Sequence, residues 1–153
     1  MKADRILNPA LAELIARAGH GDVIVFADAG LRIPESATSI HLELRCGVPR
    51  MADVIKAVAE ELVIEQAFVA EEFAEWNPSV CAEVISALSL EPEQRPHQQL
   101  LGETTESILA FVKTGECSAY ASGVVVCGVS YFDEAVALHD RVKMERESGI
   151  AGD

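Results

Sequence analysis

Positive charge is what this sequence has least of. Twelve Lys and Arg stand against 25 Asp and Glu, a net charge of −13 with neutral histidines and an isoelectric point near 4.6. Nucleic-acid backbones and anionic membranes both call for a positive face, so neither is an expected partner. No apolar run reaches the roughly 18 residues needed to cross a bilayer. Met1-Lys2-Ala3-Asp4-Arg5 has no apolar stretch behind it, so nothing reads as a secretory signal. Cys46, Cys81, Cys117 and Cys127 form no CxxC pair and no zinc spacing, and the expectation is four reduced thiols in a cytoplasmic protein. The four histidines show no HExxH or other metal-binding arrangement. GxGxxG, GxxxxGK[ST] and GxSxG are all missing, which removes the dinucleotide, nucleotide and hydrolase-elbow fingerprints.

What is present is an ordinary globular composition, 50% apolar and 24% charged over 153 residues. A chain of that length forms about one domain and buries roughly 68–70% of its unfolded surface. Asn8-Pro9 reads as a helix cap and first turn, followed by Leu11, Leu14, Ile15 and Ala18 at helical spacing. Gly19 stands where a left-handed terminator belongs. Val23 to Ala27 is a continuous apolar run, the pattern of a strand covered on both faces, and Asp28-Ala29-Gly30 turns it. Ile40, Leu42 and Leu44 alternate with polar residues as a half-wet strand. Met51, Val54, Ile55, Val58 and Leu62 mark a second helix, Val63 to Ala70 another strand, and Asn77-Pro78 a further helix start. Glu91 to Pro96 reads as a loop, 98–107 as holding a short helix, and 109–113 and 124–129 as the last strands. Asp133 to Arg146 is an acidic helix, and Glu147 to Asp153 a frayed tail. This alternation predicts an α/β fold, a single three-layer α/β/α domain with a mainly parallel sheet and a C-terminal helical extension.

Open α/β sheets bind ligands beyond the carboxyl ends of their strands. Asp28 follows five apolar residues and either holds turn amides or faces a ligand. His20, between Gly19 and Gly21, either caps a helix end or exchanges protons near neutral pH. A carboxylate such as Asp28 could fix the tautomer of that imidazole. His97 follows Pro96 at a presumed helix start. Tyr120 offers a ring and a hydroxyl. His41 and His139 read as surface residues, and Glu71, Glu72 and Glu75 as a solvated helix face.

Taken together, these motifs resemble the D-ribose pyranase family, the RbsD proteins, which are related to the fucose mutarotases. The match runs through Leu7-Asn8, Gly19-His20-Gly21-Asp22, Asp28-Ala29-Gly30-Leu31 with Ile33-Pro34, Gly47-Val48-Pro49, Ala70-Glu71-Glu72, Pro96-His97 and Gly115-Glu116-Cys117-Ser118 leading to Tyr120-Ala121. It covers residues from about 5 to about 129, and Asp-Ala-Gly-Leu resembles the ribose branch more than the fucose branch.

The resemblance implies a cytoplasmic enzyme that interconverts the pyranose and furanose forms of D-ribose. It also implies a ring-shaped homo-oligomer, a decamer, with sugar sites at subunit boundaries. His20 would be the catalytic acid/base, and Asp28, His97, Tyr120, Ala121 and Ser122 would hold the sugar. Ring interconversion needs only proton transfers between oxygens, so no cofactor and no metal is expected. Residues 1–132 would form the pyranase domain and 133–153 an extension beyond the usual C-terminus, able to lie over a neighbouring subunit. The chain departs from the family pattern at Ser122, where Asn is usual. It departs again at Gln98-Gln99-Leu100-Leu101-Gly102, in place of a charged, Phe-containing run, with one extra residue before Gly115. Two alternatives stand beside this reading: a mutarotase for another sugar such as fucose, and a non-catalytic sugar-binding or regulatory protein.

Overall fold

The apolar run Val23–Ala27 becomes β1, buried at every residue, and the sheet is built around it. The computed structural model describes residues 5–100 and 108–150. Ahead of β1 lies α1 (Pro9–Arg17), which the Asn8 side chain caps by accepting the Leu11 amide at 3.0 Å. After β1 come β2 (Ser39–His41), α2 (Met51–Ala59), β3 (Ile64–Ala70), α3 (Glu71–Trp76) and α4 (Pro78–Leu88). Then follow β4 (Glu93–Arg95), α5 (His97–Leu100), β5 (Ile108–Lys113), β6 (Ser122–Cys127) and α6 (Phe132–Ile150).

The six strands lie in the order β2-β5-β1-β6-β3-β4. β2, β5 and β1 run parallel, as do β3 and β4, while β6 is antiparallel to both β1 and β3. Five strands therefore point one way and β6 the other, so the sheet is mainly parallel, as expected. Side chains alternate across a strand, and cross-strand partners share a face. Phe26 and its partner Gly123 turn toward Ile55 of α2, on which α4 packs. Val25 and its partner Val124 turn to the other face, beside Leu100 of α5. These are the three layers. Met51, Val54, Ile55 and Val58 on one stripe of α2, with Phe26, Phe73 and Val84, fill the first interface. Each such side chain contributes about 1.5–3 kcal/mol by leaving water.

Several local expectations are corrected. Gly19 is not the left-handed terminator of α1; Ala18 is extended, and the left-handed residue is Gly21 with φ 84°. The strand at Ile40 stops at His41, because it is an edge strand paired only to β5. Glu93–Arg95, expected as loop, pairs with β3 as an edge strand. The short helix begins at His97, and residues 101–107 of that expectation lie outside the described residues. α6 runs to Ile150 rather than fraying after Arg146; residues 151–153 lie outside the described part. Its residues 132–148 are all exposed. Cys46 and Cys117 are joined by a disulfide across 71 residues, with Cα atoms 5.5 Å apart, while Cys81 and Cys127 are free and buried. The expectation of four reduced thiols failed because the two partners sit on loops that only the folded sheet brings together. Among the described residues no helix is long and apolar enough to cross a membrane.

Candidate active site

The predicted site residues fall into two groups at opposite ends of β1. His20 precedes the strand and Asp28 follows it. Five extended residues span about 16 Å, so the two side chains of one chain do not meet.

At the amino end, His20 sits in a tight loop. The Gly19 amide donates to Asp22 Oδ2 at 2.8 Å and the Asp22 amide to the Gly19 carbonyl at 3.1 Å. Gly21 donates to the Cys127 carbonyl and Cys127 to the Asp22 carbonyl, both at 2.8 Å, tying the loop to the end of β6. The expected partner Asp28 is replaced by Glu65, whose Oε2 lies 2.7 Å from His20 Nε2. Glu65 is the odd residue in the β3–β6 ladder. Ile64 pairs with Cys127 and Gln66 with Val126, so Glu65 is bulged out of register and its carboxylate is re-aimed toward His20. Gly128 makes room for it, since a Cβ there would lie 3.1 Å from the Glu65 Cβ. The sequence signal for Glu65 is absent: it sits where a strand residue would simply face solvent.

Both partners are about half exposed, so the ion pair adds little stability. Its consequence is orientation. A carboxylate only accepts, so Nε2 carries a proton and, in the neutral ring, Nδ1 is the acceptor. A cleft of about 460 Å³ surrounds the pair, lined by His20, Val63, Glu65, Gly128, Val129, Phe132 and Asp133.

The carboxyl end of the sheet gathers the remaining predicted residues. Asp28, His97, Ala121 and Ser122 line one tight recess with Leu31 and Leu100, about 10 Å³ in volume, room for roughly one water. Asp28 Oδ1 accepts the Gly30 amide at 2.7 Å, so it does hold its own turn, while also facing the recess. His97 is fixed at its backbone, where its amide donates to Glu72 Oε2 at 2.9 Å. Glu72 is thus more than a solvated helix residue. Bonds from its own backbone amide and then from His97 hold its carboxyl below the usual range. Tyr120 stacks edge-on between Trp76 (ring centroids 5.3 Å) and His97 (5.4 Å).

Tyr120 has φ 60°, a left-handed conformation that a bulky side chain adopts at a cost of about 1–3 kcal/mol and only where its surroundings dictate it. Asn77 Nδ2 donates to the Ala119 carbonyl at 2.9 Å and the Ala121 amide to the Ser118 carbonyl at 3.2 Å. Glu116 Oε1 accepts the Cys117 and Ser118 amides, both at 3.0 Å. Gly115 abuts the neighbouring loop so closely that a Cβ would lie 2.5 Å from the Val48 carbonyl oxygen. The Cys46–Cys117 disulfide binds the same two loops. Among the described residues Ser122 Oγ donates to its own turn, at 3.4 Å from the Tyr120 carbonyl. Sequence reasoning singled out neither Trp76 nor Asn77 as a support for the tyrosine loop.

A further cleft, about 590 Å³ between α2 and α4, lies away from both groups and is crossed by Arg50, paired to Asp53 and Glu83. His41 bonds Glu43 at the surface and His139 lies by Asp140; neither lines the cleft or the recess. Among the described residues no cluster of His, Cys, Asp or Glu is placed to hold a metal ion.

The molecule is thus a six-stranded α/β sheet with one reversed central strand, the His20–Glu65 cleft at one end and the Asp28–His97 recess at the other. Residues 1–130 match the RbsD / FucU transport protein family. The chain is 39% identical over 131 residues to the D-ribose pyranase of Symbiobacterium thermophilum, covering 86% of this chain and all of that one. The structure of Bacillus subtilis RbsD complexed with D-ribose superposes with a TM-score of 0.77 at 35% identity, over 84% of this chain and 98% of that one. The fucose mutarotase of Streptococcus pneumoniae, solved with L-fucose, shares the fold alone: TM-score 0.57, 17% identity, 80% and 94% covered. The chain belongs to the RbsD/FucU family.

Proposed function

We propose that this chain is a D-ribose pyranase, opening and reclosing the sugar ring between its pyranose and furanose forms. The observation that carries the reading is the His20–Glu65 pair. It is an imidazole anchored at Nε2 in an accessible cleft, within a chain that resembles D-ribose pyranases along their length. Opening the hemiacetal removes a proton from the anomeric hydroxyl and delivers one to the ring oxygen; the aldehyde then rotates and recloses through another hydroxyl. His20 Nδ1 accepts the first proton and the resulting imidazolium, paired with Glu65, returns one. The Glu65 carboxylate stabilises that cation.

His20 and the recess of Asp28, His97, Ala121 and Ser122, with Tyr120 stacked on His97, lie too far apart in one chain to share a five-carbon sugar. The active unit is therefore a homo-oligomer in which the cleft of one copy faces the recess of another, a ring of subunits in the cytoplasm. In that arrangement the sugar hydroxyls meet Asp28, His97 and Tyr120 while His20 of the neighbouring copy serves the ring oxygen. Ser122, shorter than an amide, reaches the sugar through water.

Saturation-transfer NMR on D-ribose tests the proposal. Exchange between the β-pyranose and β-furanose anomeric protons rises with wild-type protein and returns to the uncatalysed rate with His20→Ala. Ribose binding without faster exchange would instead identify a non-catalytic sugar-binding protein, and acceleration with L-fucose alone a mutarotase.

A further inference from the structure

The family match ends at residue 130, yet the His20 cleft does not. Its wall is completed by Phe132 and Asp133, the first two residues of α6. Phe132 belongs to no core: it is 58% exposed, and every described side chain from 131 to 148 is likewise exposed. An aromatic ring left open on the wall of a cleft that also holds an imidazole–carboxylate pair is what the apolar C–H face of a sugar packs against. The rest of the lining offers only Val63 and Val129 as apolar surface.

We infer that Phe132, supplied by the appended helix, is a substrate-contacting residue that sets the affinity of the His20 cleft for its sugar, with Asp133 beside it as a hydroxyl acceptor. The inference rests on the pyranase reading and adds a binding determinant that the family-matched residues lack. The proton chemistry stays with His20, so the contact acts on binding rather than on the rate at saturation.

The test is the ribose dependence of anomeric exchange in Phe132→Ala, Phe132→Tyr and Leu138→Ala, with oligomer mass followed by light scattering. Phe132→Ala should raise half-saturating ribose about two- to tenfold with the saturated rate kept, since an aromatic contact is worth about 0.5–1.5 kcal/mol. Phe132→Tyr should restore the wild-type value. Leu138→Ala, on the same helix but outside the cleft lining, should not change it. An unchanged half-saturation in Phe132→Ala would overturn the inference, as would a rise accompanied by loss of the oligomer. If the wild type accelerates no exchange, the pyranase reading itself has failed. Ribose titration of the Phe132 ring signals then decides separately: shifts that saturate support the contact, and their absence refutes it.

Discussion

Replacing Cys46 with serine removes the Cys46–Cys117 disulfide while leaving the loop shapes in place. The neighbouring backbone bonds, Gly47 amide to Gly115 carbonyl at 2.6 Å and Gly115 amide to Pro49 carbonyl at 2.9 Å, hold the same two loops together in the folded state. The loss therefore falls mainly on the unfolded chain, which gains the freedom of a loop closed across 71 residues. The chain-entropy relation puts that at about 4 kcal/mol at 25 °C, an upper limit because denatured chains keep residual structure. For a chain of this size 1 kcal/mol corresponds to about 2–4 °C in Tm, so a fall on the order of 10 °C is expected. Thermal unfolding followed by circular dichroism measures it, with oxidised wild type, reduced wild type and Cys46→Ser side by side. The last two should unfold together, below the first, and reductant should not move Cys46→Ser. Three coincident curves would refute the reasoning.

Glu65→Gln should slow ribose exchange at least about tenfold at saturation, with half-saturating ribose unchanged, because the amide no longer fixes Nε2 as the protonated nitrogen; exchange NMR over a ribose series separates the two parameters. Gly115→Ala forces a Cβ onto the Arg45 and Val48 carbonyls, 2.6 and 2.5 Å away, and should cost about 1–3 kcal/mol in urea unfolding. Glu72 has a depressed carboxyl pKa when folded, so the bonds from its own backbone amide and from His97 stabilise fully above the ordinary value of 4.5, a contribution lost as pH falls through the lowered folded value. Glu72→Gln should thus be less stable than wild type at neutral pH and converge with it in acid, as read by denaturant midpoints at each pH. Burial, and secondarily the Asp22 carboxylate, push the Cys127 thiol up to about 11. Alkylation at pH 8 should spare Cys127 in the native protein and reach it only in denaturant.

Periodicity carried the central elements because burial is periodic there. Val23–Ala27 has no polar residue, and Met51, Val54, Ile55 and Val58 fall on one helical stripe, so both read directly as β1 and α2. Glu93-Gln94-Arg95 could not be read, since an edge strand exposed on its outer side takes its pairing from β3 and not from its own composition. The site was legible as residue types more than as geometry. His20, Asp28, His97 and Tyr120 all lie at the sheet ends where loops gather. The imagined His20–Asp28 contact failed because β1 stands between them. The true partner Glu65 is delivered by a bulge, and a bulge depends on the register of two strands more than 50 residues apart in sequence. The disulfide was hidden for the same reason: its partners are neighbours only across the finished sheet.

The proposal that one copy's His20 works on a sugar bound against another copy's Asp28 and His97 has a direct test in mixed assemblies. His20→Ala and Asp28→Asn chains are each expected to be inactive alone. Co-expressed and purified together, they should regain about a quarter of wild-type ribose exchange. Random assembly gives that fraction of sites an intact cleft facing an intact recess. Recovery near that level supports the shared site; a mixed oligomer as inactive as either parent would contradict it.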